Sequence, residues 1–208
     1  MVCTSQTLKL SFLAGLIFML GGIGLRAQTV ADFFLLLPDA PLARWGEIQT
    51  PLTVDLRKRL VSAEAKVQEK ARTEAMIREM SVDPKNGYLT FVSPGDGEGM
   101  NVYMTYWREK KKKDGPCVIA VVTDKWSAAT HTSCGVYFYR WTPESPKTLE
   151  DVSAQYLPAL HAGNFYETTK EAADLAEKAG LRWIWELPQK GTTIRIKGAQ
   201  VGDDIYDK

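Results

Sequence analysis

The chain has 208 residues, of which 26 are basic and 25 acidic, and only three are cysteines. This even charge balance argues against the basic footprint of a nucleic-acid-binding domain and against a polybasic membrane surface. A chain of this length can bury a hydrophobic core without help from disulfides.

The first 27 residues have the three parts of a secretory signal peptide. Lys9 supplies a positive charge, an apolar stretch of 16 residues follows from Leu10 to Leu25, and Ala27 ends the segment. The stretch is shorter than the roughly 20 residues of a membrane-spanning helix. We therefore expect cleavage before Gln28, with an uncleaved anchor as the alternative. Residues 28–208 would then form one exported domain, periplasmic or extracellular, with no membrane span.

The mature chain is predicted to begin with helices. Val30, Phe33, Phe34 and Leu37 have the spacing of a buried helical face, and Pro38 ends it. A second helix is predicted from Thr53, with an apolar face formed by Leu56, Leu60, Ala63, Val67 and Ala71. Its end is open, because residues 76–83 could extend the helix or form a first strand with Met76, Met80 and Val82 inward.

The pattern then changes to the alternation of β-strands. Asn86-Gly87 is a turn signal, and strands are predicted at residues 88–92, 100–107, 117–124 and 134–141. The third of these is apolar at almost every position, as in a strand covered on both faces. A capping box at Thr168 and Glu171 predicts a helix, and two strands at 181–187 and 192–197 form a closing hairpin.

Strands in succession without intervening helices favour an α+β fold over a parallel doubly wound sheet. We expect a mostly antiparallel sheet of about six or seven strands, with N-terminal helices and one helix before a C-terminal β-hairpin. If the strands at 117–124 and 134–141 form a direct hairpin, Cys134 lies opposite Thr123 and Cys117 opposite Arg140. The two cysteines are then roughly 20 Å apart, too far for a disulfide. We expect two buried free thiols, with a bridge as the alternative.

The layout resembles that of uncharacterised exported proteins of Bacteroidota that are classed as domains of unknown function. The resemblance rests on short motifs in five places: Ala27–Phe34, Leu37–Asp39, Asn86–Leu89, Cys134–Tyr139 and Tyr156–Pro158. It implies a periplasmic or surface location and an α+β domain, and it implies no activity.

No catalytic residue, metal site or cofactor site is predicted. His131 near Cys134 could form a nucleophile pair, but a loop histidine beside a buried cysteine explains the same residues. His161 has no partner at metal-like spacing. Asp96 and Glu98 lack the spacing of a calcium loop, and Lys110–Lys113 has the composition of a solvated hairpin tip.

Aromatic residues are the strongest functional signal. If Met100, Val102, Met104, Val136 and Phe138 face the helices, five aromatic residues share the opposite face of the sheet: Tyr103, Trp107, Tyr137, Tyr139 and Trp141. Trp126 lies between strands, where burial is less expected. Such a face can stack on sugars or anchor a protein, or it can be covered by the C-terminal hairpin through Trp183 and Trp185, or by another protomer.

These observations lead to three hypotheses of function. The first is an exported non-enzymatic domain that binds an unknown protein or glycan partner through the aromatic face. The second is a hydrolase, or a hydrolase inhibitor, of the cell envelope. The third is a purely structural envelope component. Paired carboxylates in a cleft would favour the enzyme, and an exposed aromatic face would favour binding.

Overall fold

The computed structural model describes residues 28–43, 51–94, 98–109, 115–127, 133–157 and 182–199. Within these ranges, nothing is said of the side chains at ten strand positions: 98, 126, 127, 133, 134, 182, 183 and 197–199. The described part contains four α-helices: α1 (Val30–Leu36), α2 (Val54–Leu60), α3 (Ala65–Glu74) and α4 (Ser153–Tyr156). Its strands are β1 (Glu79–Asp83), β2 (Tyr88–Pro94), β3 (Glu98–Arg108), β4 (Cys117–Ser127), β5 (Ser133–Trp141), β6 (Glu150–Asp151), β7 (Arg182–Glu186) and β8 (Arg195–Ala199).

Helix α1 begins at Val30, with Thr29 as its N-cap, where the apolar pattern predicts a helix. The Asp32 carboxylate accepts from the Thr29 backbone N–H at 2.8 Å, and Thr29 Oγ1 accepts from the Asp32 N–H at 3.3 Å. This reciprocal pair closes a capping box at the helix N-terminus. Val30, Phe33 and Phe34 are fully buried, so α1 is part of the hydrophobic core.

The predicted second helix is two helices, α2 and α3, which is a correction. Residues 61–64 are not helical. The Ser62 hydroxyl accepts from the Glu64 N–H at 3.2 Å, a local bond that competes with the helical ladder. The Gln68 side chain donates to the Leu60 carbonyl at 3.0 Å and so satisfies one acceptor at the end of α2.

Helix α3 ends in a Schellman motif at a methionine. The Ile77 N–H donates to the Arg72 carbonyl at 2.8 Å, and the Met76 N–H donates to the Thr73 carbonyl at 3.1 Å. Met76 has φ = 50° in the left-handed region, and its side chain is 43% exposed. Of the two alternatives for residues 76–83, the strand is observed, as β1. The prediction that Met76 points inward is wrong, because its side chain is exposed.

The six strands β1 to β6 form one antiparallel sheet in sequential order, while β7 and β8 form a separate two-stranded sheet. Asn86-Gly87 lies in the turn between β1 and β2, where the Asp83 carboxylate accepts from the Asn86 backbone and side chain. The α+β class with a mostly antiparallel sheet is thus confirmed. The helix predicted at Thr168 lies outside the described residues. No described helix has the length and apolar character needed to cross a membrane.

The two faces of the sheet carry two separate hydrophobic clusters. The face against α1 to α3, called the helix face below, packs the side chains of Leu89, Phe91, Val102, Met104, Ile119 and Val121. The opposite face, called the hairpin face, packs Val118, Ala120, Val122 and Phe138 against Trp185 and Leu187 at the end of β7. Strand β4 is therefore covered on both sides, as its apolar sequence predicts.

The register between β4 and β5 differs by one residue from the predicted register. Cys117 lies opposite Trp141, and Asp124 lies opposite Cys134. Seven residue steps along β4 separate the two positions, or roughly 24 Å, so a bridge between the cysteines is excluded by backbone position. Cys117 is a buried free thiol, which confirms the prediction for that cysteine.

Two hydrogen bonds hold the loop of the β7–β8 hairpin against the hairpin face. The Trp107 indole N–H donates to the Gly191 carbonyl at 2.9 Å. The Gln189 side-chain amide donates to the Asp83 carboxylate at 3.3 Å. These contacts tie the hairpin to β3 and to the end of β1, so the hairpin crosses the sheet and bounds a space beneath it.

Candidate functional site

A cleft lies between the hairpin face and strand β7. Its volume is about 420 Å³. Eight residues line it: Tyr88, Tyr103, Val122, Asp124, Ile184, Trp185, Glu186 and Leu187. The lining thus combines three aromatic rings, two carboxylates and aliphatic surface, and it is called the aromatic cleft below.

The strand register places the two tyrosines side by side. Tyr88 lies opposite Thr105 on β3, and Tyr103 lies two residues before Thr105 on the same strand. Residues in this diagonal relation are roughly 7–8 Å apart at Cα, within reach of aromatic side chains. Burial, and to a smaller degree Tyr103, raises the pKa of the Tyr88 phenol. The Tyr88 hydroxyl is therefore a neutral donor and acceptor at physiological pH.

Two acidic residues line the aromatic cleft, one on the sheet and one on the hairpin. Asp124 lies on β4 after the buried run 117–123 and pairs with Asn101 on β3. Glu186 ends β7 and pairs with Arg195 on β8. Both acids, like Tyr103, already interact with protein groups.

The hairpin supplies the apolar part of the cleft. Trp185 is 8% exposed and packs against the cluster of the hairpin face. Its neighbour Ile184 is 38% exposed, similar to other large apolar residues of the described part, such as Leu157 at 39%. The hairpin wall is thus lined by a buried tryptophan and an exposed isoleucine.

The predicted aromatic face is divided between the two sides of the sheet, which corrects the prediction. Tyr103 and Trp107 pack on the hairpin face, whereas Tyr137, Tyr139 and Trp141 pack on the helix face. The cause is the register: Tyr137 lies opposite Val121, so it shares the side of Val121. Val136 and Phe138 consequently lie on the hairpin face and not toward the helices.

Two members of the predicted face lie in the core. Tyr139 is 3% exposed and Trp141 is 4% exposed. Trp141 packs edge-to-face on Phe33 with ring centroids 5.7 Å apart, and its indole donates to the Pro146 carbonyl at 3.2 Å. Neither ring offers a surface to a partner. The C-terminal hairpin does cover aromatic residues through Trp185, but it covers the hairpin face with Tyr103 and Trp107, not the face of Tyr139 and Trp141.

The remaining predicted candidates are placed only in part. Trp126 lies within β4 opposite Gly99, not between strands as predicted, and its side chain lies outside the described residues. His131, His161, Asp96 and Lys110–Lys113 also lie outside them, as does the Glu98 side chain. The described residues contain no group of three or more His, Cys, Asp or Glu side chains that could hold a metal ion.

Sequence reasoning missed Tyr88, Asp124, Trp185 and Glu186 as site residues. Asp124 carried a usable signal, because it is the first charged residue after seven uncharged ones in the most apolar strand. Tyr88 and Trp185 lie in amphipathic strands, where an aromatic residue normally indicates core. Only the packing of the hairpin across the sheet brings the four residues together.

The aromatic cleft can bind a small polar ligand that has an apolar face. Aromatic rings stack on such a face, and carboxylates accept hydrogen bonds from its hydroxyl or amine groups. No family model, curated protein or solved structure matches this chain, so function is inferred from the chemistry of the cleft.

Proposed function

We propose that the protein is an exported, non-enzymatic domain that binds a carbohydrate in the aromatic cleft. Export is expected from the predicted signal peptide at residues 1–27, and it places the domain in the periplasm or outside the cell. The observation that carries the proposal is the convergence of Tyr88, Tyr103 and Trp185 with two carboxylates in one cleft.

The size and shape of the cleft favour a small ligand over a protein partner. Small-molecule pockets enclose about 300–1,000 Å³, and the aromatic cleft, at about 420 Å³, falls within this range. A specific protein interface needs about 800 Å² on each partner. The aromatic residues that would have formed a flat docking face are divided by the sheet, and Tyr139 and Trp141 are buried.

The chemistry of the lining suits a sugar. Pyranose rings present axial C–H groups on one side, which pack on the electron-rich faces of aromatic rings. Their hydroxyl groups donate to carboxylates, and Asp124 and Glu186 provide such acceptors on two walls. The Tyr88 phenol adds a neutral group that donates and accepts.

A pair of tyrosine substitutions tests the proposal. Tyr103→Ala removes a ring from the cleft, whereas Tyr156→Ala removes a 40% exposed ring that stacks on Phe138 outside the lining. Screening the purified protein against immobilised oligosaccharides identifies a binder, and calorimetry then measures its affinity for each variant. We expect a loss of about tenfold or more for Tyr103→Ala and less than about twofold for Tyr156→Ala. An equal loss in both variants, or no binder at all, would contradict the proposal.

The two carboxylates support glycoside hydrolysis as a second candidate function. Glycosidases use a pair of acids, one to protonate the leaving oxygen and one as a base or nucleophile. Incubation of the bound oligosaccharide with stoichiometric protein, followed by measurement of reducing ends, separates the candidates. If reducing ends are released and Asp124→Asn abolishes their release, the protein is a glycoside hydrolase. If the oligosaccharide stays intact, the protein only binds it.

A further inference from the structure

We infer that the expected cleavage before Gln28 takes place on the unfolded chain, because side chains of β3 hold this residue once the domain has folded. The inference rests on the proposed function, since it concerns removal of the signal peptide that export requires. The observation that carries it is the contact of Tyr106 and Arg108 with the backbone of Gln28.

Two side chains of β3 donate to the same backbone carbonyl. The Arg108 guanidinium donates to the Gln28 carbonyl at 3.0 Å, and the Tyr106 hydroxyl donates to it at 3.3 Å. The two donors are two residues apart in the strand, so they project from the same face. The guanidinium also lies 5.5 Å from the centroid of the Tyr106 ring, within the distance of a cation–π contact. Tyr106 and Arg108 are called the N-terminal clamp below.

The N-terminal clamp exists only in the folded domain. The Tyr106 ring packs edge-to-face on Phe33 of α1, with ring centroids 4.9 Å apart. The same ring approaches Gly87 in the turn between β1 and β2, where a Cβ atom would lie 2.6 Å from it. The tyrosine is therefore fixed by contacts from α1 and from this turn, and both must be in place before the clamp forms.

The backbone after Gln28 is engaged as well. The Thr29 N–H donates to the Asp32 carboxylate at 2.8 Å, and the Thr29 carbonyl accepts from the Phe33 N–H at 3.1 Å. Val30 is fully buried. A protein that reads an extended peptide pairs with its main-chain groups, and the folded domain already uses these groups. A peptidase could therefore cut the folded chain only after this end of the domain unfolds locally.

Cleavage of the full-length precursor by purified signal peptidase tests the inference. In one reaction the peptidase is present during cell-free synthesis in detergent, and in the other it is added after circular dichroism shows that the precursor has folded. Intact mass identifies a product that begins at Gln28. We expect the fraction cleaved in a short incubation to be at least about tenfold lower for the folded precursor, because cleavage then depends on a rare opened state.

The two ways of failing are distinct. Equal cleavage in both reactions would overturn the inference and leave the proposed export in place. Absence of the product that begins at Gln28 from both reactions would overturn the expected signal cleavage, and the inference with it.

Substitutions in the N-terminal clamp show whether it is responsible. Arg108→Gln and Tyr106→Phe each weaken or remove a donor to the Gln28 carbonyl. We expect Arg108→Gln to speed cleavage of the folded precursor by about threefold to tenfold. Arg78→Gln, which changes an exposed arginine paired with Glu79, is the matched control and should change the rate less than about twofold. Tyr106→Phe keeps the ring and serves if Arg108→Gln does not fold.

A core variant separates release of the clamp from a general loss of stability. Phe138→Leu removes part of a buried ring on the hairpin face, away from the clamp. We expect it to lower the urea midpoint of the precursor while changing the cleavage rate less than about twofold. If cleavage stays slow in both clamp variants, or if Phe138→Leu speeds it as much as they do, the clamp does not protect the cleavage site and the inference is wrong.

Discussion

The indole N–H of Trp107 on β3 donates to the carbonyl of Gly191 in the hairpin loop at 2.9 Å, across 84 positions of the chain. Gly191 has φ = 88°, a left-handed conformation that glycine adopts without strain. The hairpin forms one wall of the aromatic cleft. Trp107 therefore supports that wall through this hydrogen bond, although Trp107 itself does not line the cleft.

Trp107→Phe should loosen the hairpin, because phenylalanine keeps an aromatic ring but has no N–H to donate. The lost hydrogen bond contributes about 1 kcal/mol, and we expect faster amide hydrogen exchange in residues 182–199 and weaker ligand binding by about threefold to tenfold. The melting temperature of the sheet should change little. Unchanged exchange in the hairpin would show that Gln189 and the apolar contacts of Trp185 are sufficient to hold it.

Trp141→Ala should destabilise the protein strongly, because Trp141 is a core residue. Loss of the indole leaves a cavity beside Phe33 and an unpaired Pro146 carbonyl, for which we expect a cost of about 3–5 kcal/mol. Denaturant unfolding monitored by circular dichroism measures this cost, with Tyr156→Ala as an exposed aromatic control. A cost below about 1 kcal/mol would contradict the placement of Trp141 in the core.

The sequence predicts the strands well and the faces poorly, and one register explains the difference. Alternation identifies β4 and β5, but the pairing of Val121 with Tyr137 instead of Val136 reverses which side chains of β5 face the helices. The strand 134–141 has large side chains on both sides, so its own pattern does not show which side is the core. Pairing is decided by contacts along the whole ladder, which the sequence of β5 alone does not contain.

Met76→Gly should stabilise the protein. Met76 has φ = 50° at the end of α3, a conformation that is costly for any residue with a Cβ, and its exposed side chain contributes little burial. The relief of strain exceeds the added entropy of the unfolded chain, so we expect a gain of about 0.5–1 kcal/mol in the free energy of unfolding. Thr73→Gly, at an exposed helical position of α3, should instead lower it by a similar amount. A loss of stability in Met76→Gly would contradict the Schellman geometry.

Stability should fall at alkaline pH because of Cys117. Burial raises the pKa of this thiol from 9.0 to about 11, although Arg108 acts in the opposite direction. The unfolded chain releases the thiol proton near pH 9 while the folded chain keeps it, so stability is complete below pH 9 and is lost as pH rises toward 11. The loss is on the order of 2 kcal/mol.

Cys117→Ala provides the comparison for this pH dependence. Burial also raises the pKa of Tyr139, but that phenol is present in both proteins and cancels in the difference between them. Urea unfolding at several pH values should therefore show a difference between wild type and Cys117→Ala that changes by on the order of 2 kcal/mol above pH 9. A constant difference would mean that the thiol is accessible to solvent in the folded state.

The sequence could predict one of the residues of the candidate site, but not how the site is assembled. Tyr103 belongs to the cleft and was among the predicted binding residues, because an outward aromatic residue in a strand stands out in the pattern. Trp185 and Glu186 are contributed by a hairpin that pairs with no strand of the main sheet within the described residues. The position of such a hairpin depends on side-chain contacts such as those of Trp107 and Gln189, which have no periodic signature.

The most direct test of the central claim is a nuclear magnetic resonance titration of the isotopically labelled protein with the oligosaccharide that the binding screen identifies. We expect saturable chemical-shift changes at the aromatic signals of Tyr88 and Tyr103, at the indole N–H of Trp185 and at the amide of Glu186. The indole N–H of Trp141, buried on the helix face, should not move. Absence of saturable shifts, or shifts confined to residues outside the aromatic cleft, would contradict the assignment of the cleft as the carbohydrate-binding site.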